Sequence, residues 1–278
     1  MRRQIGFTLI EVLVALAVLA ILLYAFVRFF SGTLQASGEL SVRNELLAEG
    51  QNAHHLIASR IKEAWYVFPP GTSITLGSGW TTKNTLGASE TPTWTTGKFF
   101  LAMILPPLAD DVNCSAKRWG CFRFYAYYPL RRDWYVKKAS VIRALDPDPV
   151  NDGKVWVVVE YLRYYREKTS SGYVSRCPVT ASGTPDPTNT YYRSGQGRFL
   201  VDYVQPTTDP WDSAYNYNEL FSYQTSSGQV TAVTTKIRYA KRAAGSTFRV
   251  PSEKTPLTLT VVPQNLGVKA RTDRYYCK

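Results

Sequence analysis

The sequence predicts an α+β fold: a long N-terminal helix, membrane-spanning in its first half and amphipathic in its second, packs against an antiparallel β-sheet domain. Three observations support this prediction: an apolar run at residues 7–30, an amphipathic pattern after it, and short β-rich segments from Thr72 onward. The chain has 278 residues, 45% hydrophobic and 19% charged, which is enough for one sizeable domain or two small ones.

The apolar run at residues 7–30 is long enough to cross a hydrocarbon core of about 30 Å as a helix. Arg2 and Arg3 precede it, and by the positive-inside rule they keep the N-terminus in the cytoplasm and the rest of the chain outside. An ordinary secretory signal would have a shorter apolar core and an A-x-A-like cleavage site, which this run lacks. A plain membrane anchor is the alternative. The polar residues within the run are Thr8, Glu11 and Arg28.

Glu11 is the residue that a plain anchor does not explain. An ionisable side chain inside an apolar span costs free energy and by default marks a functional position. The alternative is a tolerated polar residue near the membrane interface.

The segment Gly6-Phe7-Thr8-Leu9-Ile10-Glu11, after a short basic leader, resembles the class III signal of type IV pilins and type II secretion pseudopilins. The resemblance implies that a prepilin peptidase cuts between Gly6 and Phe7 and that Phe7 becomes N-methylated. It also implies that Glu11 neutralises the terminal amine of a neighbouring subunit during assembly, which agrees with the need of a buried carboxylate for a partner. The implied partners are other minor pilins, the major pilin, the prepilin peptidase and an inner-membrane assembly platform.

Arg28 departs from the pattern of many major pilins, which carry proline at the corresponding position. A long basic side chain there can reach the outer interface while Phe29 and Phe30 stay in lipid. It makes deep burial in a homopolymer less favourable, so the sequence favours a minor subunit over a major one.

After the span, apolar residues recur at helical spacing up to about Val67, which predicts an amphipathic helix with one buried face. Pro69-Pro70-Gly71 is expected to end it. We interpret His54 and His55 as packing and surface residues rather than metal ligands. The residues of the predicted buried stripe are Leu46, Ala53, Ile57, Ile61 and Ala64.

From Thr72 the chain reads as short strands, with residues 154–165 as the clearest central strand and residues 182–197 as a loop. The predicted divisions are a cleaved leader at 1–6, the membrane half of the helix at 7–30, its amphipathic half at 31–68, and a β-rich domain outside the cytoplasm at 69–278. The other predicted strands are residues 99–105, 121–128, 133–138, 199–204, 221–224, 233–239 and 257–262.

Four cysteines in an exported chain predict disulfides. They allow three connectivities, of which we favour Cys114 with Cys121, closing a short loop, and Cys177 with Cys277, fixing the C-terminus. A zinc site is not expected, because the cysteines and histidines lack ligand spacing.

The formal net charge of +12 includes basic residues interleaved with aromatic ones. This combination suits contacts with DNA or another anion. The alternative, which we favour, is an exposed strand face on which cationic and aromatic side chains pair. The candidate contacts are Lys117, Arg118, Arg131, Arg132, Lys137 and Lys138.

No nucleotide-binding loop, nucleophile elbow or zinc-protease motif is present, so we expect no catalysis and no cofactor. Two oxygen-rich loops, residues 146–153 and 209–219, suggest turn chemistry, with calcium as the alternative.

The last part of the chain carries a weaker resemblance. The strand-like segments at 230–239 and 259–266 are similar to the sheet endings of W-type minor pilins and J-type pseudopilins. We therefore expect a minor pilin, anchored in the inner membrane and then incorporated near the tip of a pilus to prime its assembly. The alternatives are a J-type pseudopilin and a pilus-displayed DNA-binding or adhesive module.

Overall fold

The computed structural model describes residues 8–87, 90–107, 121–138, 145–170, 172–179, 185–190, 193, 195, 197–243 and 245–264. The chain begins with one long helix, α1 (Leu9–Glu63), and continues as a β-rich domain, so the predicted α+β fold is confirmed. It divides into two compact units, Met1–Glu45 and Leu46–Lys278, and α1 contributes residues to both.

The part of α1 in the second unit buries one face. The predicted stripe is confirmed, because all five of its residues are at most 2% exposed. Gly50 and His54 join this buried face, which packs on strands described below.

The predicted end of the helix is wrong. The chain leaves the helix at Glu63, before the Pro69-Pro70 pair, because the Trp65 amide donates to the Ile104 carbonyl (2.9 Å) and the next residues join a sheet. Long-range strand pairing therefore ends the helix before the prolines do.

Fourteen strands follow, and their pairing is antiparallel throughout the described chain. In chain order they are β1 (Tyr66–Val67), β2 (Ser73–Thr75), β3 (Thr93–Thr95), β4 (Leu101–Leu105), β5 (Arg123–Arg131), β6 (Trp156–Tyr164), β7 (Arg166–Thr169), β8 (Gly172–Ser175), β9 (Arg198–Val204), β10 (Phe221–Ser226), β11 (Gln229–Ile237), β12 (Tyr239–Ala243), β13 (Ser246–Val250) and β14 (Leu257–Val261).

The main sheet has seven strands in the order β1-β4-β5-β6-β9-β12-β13, and a second sheet has the order β10-β11-β14. The predicted central strand is confirmed as β6, which lies in the middle of the main sheet. Two hairpins, β2-β3 and β7-β8, complete the described strands.

Strand β5 is buried on both faces. Residues 123–130 are all buried, although the alternation of residue types there is typical of a half-exposed strand. One face packs on an aromatic cluster that includes Trp94 and Phe100, and Trp94 lies 4.6 Å from the Tyr128 ring between centroids. On the other face, the Arg60 guanidinium of α1 lies 5.1 Å from the Tyr125 ring centroid. At β5 the main sheet therefore lies between the aromatic cluster and α1.

The strand predicted at residues 133–138 is wrong, because Arg132–Lys138 forms a short helix, α2. Strand β5 stops at Arg131, and Arg132 turns inward to pair with Asp202 and Asp152. The Asp133 amide then donates to the Asp152 carbonyl (2.8 Å), which replaces continued strand pairing.

The strand predicted at 233–239 is also divided. Strand β11 ends at Ile237, Arg238 interrupts it, and β12 begins at Tyr239 in the other sheet. Arg238 is fully buried and donates to the carbonyls of Tyr215 (2.9 Å) and Glu253 (2.6 Å). These two bonds hold the chain where it passes between the sheets.

Neither described cysteine, Cys121 or Cys177, has a free thiol. Cys114 and Cys277 lie outside the described residues, so the favoured pairing stays a prediction.

Candidate functional site

The first described residues form a helix cap built from Thr8 and Glu11. The Glu11 carboxylate accepts hydrogen bonds from the Thr8 amide and the Thr8 hydroxyl, both at 3.0 Å. In return, the Glu11 amide donates to the Thr8 hydroxyl oxygen at 3.4 Å. Thr8 and Glu11 thus form a capping box, which satisfies amides that the first turn of a helix leaves unpaired. This role of Glu11 was readable from the T-x-x-E spacing, and the sequence reasoning missed it.

Gly6 and Phe7, the residues predicted to flank the cleavage, lie outside the described residues. Their roles stay predictions. Thr8 directly follows Phe7 in the chain, so the Glu11 carboxylate is bound at the end of the helix that would carry the new amine.

The first unit exposes an apolar helical surface. By length and composition α1 can cross a membrane, and none of its most apolar 18-residue window is buried. A helix satisfies its own backbone hydrogen bonds, which is required in lipid. The large apolar side chains exposed between residues 9 and 30 are Leu9, Ile10, Val12, Leu13, Val14, Leu16, Val18, Leu19, Ile21, Leu22, Leu23, Tyr24, Phe26, Val27, Phe29 and Phe30.

Arg28, the polar residue near the end of this surface, is bound to its own helix. Its Nε donates to the Tyr24 hydroxyl at 3.1 Å, and its guanidinium lies 5.6 Å from the Tyr24 ring centroid. The pair combines a charge with an amphipathic ring, which is the composition that suits a membrane interface.

Of the predicted anion contacts that the structure describes, the neighbouring Arg131 and Arg132 do not share one exposed cationic surface. Arg132 is 2% exposed, and its guanidinium pairs with Asp202 at 2.9 Å and also with Asp152. Arg131 is exposed but forms two hydrogen bonds with the Asp133 carboxylate, at 3.0 and 2.5 Å. Arg132 is therefore a structural residue, and the prediction that it contacts an anion is corrected.

Among the remaining candidates, the structure describes the side chain of Lys137. Lys137 is exposed on α2. Lys117, Arg118 and the Lys138 side chain lie outside the described residues, so their roles stay predictions.

Cationic and aromatic side chains do pair, although the following two pairs do not lie across an exposed strand face. The Arg166 guanidinium lies 5.3 Å from the Tyr164 ring, and the Lys83 ammonium lies 5.9 Å from the Trp134 ring, measured to the centroids. Such contacts stabilise the fold without any nucleic acid.

The two oxygen-rich loops form turns, as predicted. Asp209 Oδ1 accepts from the amides of Trp211 (2.7 Å) and Asp212 (2.9 Å), which is an Asx-type arrangement. In the other loop, the side-chain amide of Asn151 donates to Asp148 Oδ2 at 2.8 Å and to the Arg242 carbonyl at 3.0 Å. These hydrogen bonds therefore stabilise the two loops.

A cleft of about 430 Å³ lies beside helix α2. Its lining comes from the end of β5, from α2 and from the chain that follows a 3₁₀ turn at Trp80–Thr82. Its lining residues are Thr85, Gly87, Glu90, Arg131, Asp133, Trp134 and Lys137.

Comparison with known proteins places the N-terminus in a recognised class. Residues 1–23 match the family model of the prokaryotic N-terminal methylation motif, the signature of type IV pilins and pseudopilins. This match confirms the resemblance drawn from residues 6–11, and it does not distinguish W-type from J-type subunits. No curated protein and no solved structure matches the chain.

Proposed function

The chain carries the N-terminal methylation signature of type IV pilins and pseudopilins, and on that premise we propose that it is a minor pilin. The prepilin peptidase cuts it between Gly6 and Phe7 and N-methylates Phe7. The subunit then leaves the inner membrane to join a pilus at or near its tip, where it helps to prime assembly of the major subunit. The proposed role is structural and involves no catalysis.

The observation that carries this proposal is the continuity of the motif with an unburied apolar helix. The motif covers residues 1–23, and the exposed apolar surface of α1 extends beyond it to Phe30. An apolar surface of this length needs lipid or other protein to cover it. A membrane before assembly, and neighbouring pilin helices afterwards, would each provide that cover.

The capping box supports the proposed part of Glu11 in assembly. In the single chain, the carboxylate is already satisfied by Thr8, so it can enter an apolar environment with hydrogen-bond partners. After the proposed cleavage, the ammonium of a neighbouring Phe7 would add the countercharge that a buried carboxylate needs.

Two features favour a minor subunit over a major one. Arg28 stands where the resemblance leads us to expect proline, and its charge disfavours burial along a repeated shaft. The large β-rich domain would also be repeated at every shaft position, where so bulky a domain fits poorly. A tip subunit avoids both problems because it occurs once or a few times.

A J-type pseudopilin of a type II secretion system rests on the same observation. The neighbouring genes distinguish the two machines, and so do deletion strains, since loss of pili with normal secretion supports the pilin. A DNA-binding module has less support, because Arg132 is buried and Arg131 is paired with Asp133.

The test is intact mass and N-terminal sequencing of the protein from native membranes and sheared filaments. A chain that begins with N-methylated Phe7 supports the proposal. A Gly6→Leu variant is the control, and it should keep Met1 because the cleavage position is altered. A wild-type chain that still begins at Met1, in cells with an active peptidase, would contradict processing.

A further inference from the structure

The cleft beside α2 has the size and the walls of a ligand site. Its volume of about 430 Å³ falls in the range of small-molecule pockets. It lies in the second unit, and its described lining comes from Thr85, Gly87 and Glu90 on one side and from residues 131–137 on the other.

The walls are held by buried or backbone contacts. Arg132, between the lining residues Arg131 and Asp133, is anchored in the interior by Asp202. The Arg131 amide donates to the Thr85 hydroxyl at 3.1 Å, which joins the two walls. A site whose side chains sit on such supports needs little rearrangement to bind.

The described lining of the cleft carries charges of both signs. Its lining contains two carboxylates, Glu90 and Asp133, and two cations, Arg131 and Lys137. Arg131 uses two N–H groups on Asp133, and both side chains are still partly exposed, at 54% and 36%. The guanidinium keeps further donors and the carboxylate keeps further acceptor positions. The described lining therefore offers both donors and acceptors, with charges of both signs.

Trp134 adds an aromatic surface beside these polar groups. Its indole N–H donates to the Trp80 carbonyl at 3.2 Å, which fixes the ring. The Lys83 ammonium lies 5.9 Å from the ring centroid and 4.0 Å from the Glu90 carboxylate. Together, the fixed ring and the surrounding charged groups combine apolar contact with hydrogen bonding.

We propose that this cleft binds a neutral saccharide. Sugar hydroxyls both donate and accept, so they match the carboxylates of Asp133 and Glu90 and the cations of Arg131 and Lys137. The C–H face of a sugar ring carries slight positive charge, which suits contact with the negative face of the Trp134 indole.

A single-stranded nucleic acid fits this cleft less well. It requires a groove of positive charge along the backbone together with rings for base stacking. Two carboxylates in the lining repel phosphate, and one of them offsets the positive charge of Arg131. The saccharide proposal does not depend on whether the chain serves a pilus or a secretion system.

The test uses the full chain in a detergent that has no sugar head group. Wild-type protein is applied to an array of neutral oligosaccharides, with sialylated glycans and single-stranded DNA on the same surface. We expect retention on at least one neutral glycan. Asp133→Asn and Trp134→Ala should each weaken it about tenfold or more, by removing a charged acceptor and the stacking surface.

Glu167→Gln is the matched control, since it also removes an exposed carboxylate that pairs with an arginine, Arg176. It should leave glycan binding unchanged. Thermal unfolding checks that each variant is folded. If Trp134→Ala does not fold, Asp133→Asn alone provides the test. Absence of any neutral-glycan binding, or equal binding by wild type and Asp133→Asn, overturns the proposal. Retention only on DNA, lost in Lys137→Ala, overturns it in favour of a nucleic-acid site.

Discussion

His54 lies on the buried face of α1 and links the stability of the domain to pH. It is 6% exposed, and its Nδ1 lies 3.1 Å from the Thr235 hydroxyl of β11. Its Nε2 is buried without a hydrogen-bond partner among the described residues. Burial, and to a smaller degree the neighbouring His55, lowers the pKa of His54 from 6.5 to about 4. The folded chain thus keeps this imidazole neutral.

The sign of the effect follows from which state takes up the proton first. In the unfolded chain His54 protonates as the pH falls through about 6.5, whereas in the folded chain it stays neutral until about 4. Acid therefore favours unfolding between these two values, and the loss levels off below pH 4. At 1.36 kcal/mol per pH unit, the loss is about 3 kcal/mol. That is a large fraction of the stability of a typical domain.

The assay is urea unfolding of the full chain in detergent, followed by tryptophan fluorescence at pH 7.5 and pH 4.5. Other groups also titrate in this interval, so the useful quantity compares wild type with His54→Gln. The free energy of unfolding should fall by about 2–3 kcal/mol more in wild type than in the variant. His55→Gln alters an exposed neighbour and should behave nearly as wild type.

An equal fall in wild type and His54→Gln would refute this reasoning. It would mean that His54 is protonated in the folded chain or that water reaches its ring. A larger fall in the variant would contradict the sign.

Three further changes test other parts of the structure. Gly50→Ala should lower the free energy of unfolding by about 1–2 kcal/mol, because its Cβ would lie 2.4 Å from the buried Tyr239 ring, whereas Gly38→Ala meets no atom within 4 Å and should stabilise the helix slightly. Arg132→Met should cost about 3–5 kcal/mol in urea unfolding, since it leaves the buried Asp202 carboxylate, and the half-buried one of Asp152, without their countercharge. Glu11→Gln keeps an acceptor for the cap but loses the charge, so N-terminal sequencing should show normal processing while sheared filaments contain several-fold less subunit.

Each of these expectations has a contrary result. Equal stability of the Gly50→Ala and Gly38→Ala variants would mean that the Tyr239 ring moves aside at little cost. An Arg132→Met variant as stable as wild type would show that apolar packing replaces the ion pairs. Wild-type incorporation of Glu11→Gln would remove the charge of Glu11 from the assembly mechanism.

Local patterns accounted for the parts of the fold that depend on neighbouring residues. The apolar run, the buried stripe of α1 and strand β6 were all readable, because helical and strand periodicities arise within one element. The methylation motif was readable for the same reason, since it is a contiguous signal at residues 1–23.

Errors occurred where distant residues decide the local structure. Residues 133–138 have the composition of a strand, yet Arg132 is drawn inward by Asp202, 70 positions away, and a helix forms. Arg131 and Arg132 looked alike in the sequence, but one is exposed and the other is buried. The local sequence pattern does not show which of two adjacent side chains will have a buried partner.

The sequence by itself determined the N-terminal methylation signature, the exposed apolar helix and the α+β class, because each depends on the order and spacing of nearby residues. Only the tertiary structure decided the contact of His54 with Thr235 across 181 positions, the end of α1 at Glu63, and the meeting of charges of both signs in the cleft. The physical reason is that these features require chain segments far apart in sequence to meet, and the free energy of those contacts overrides local preference.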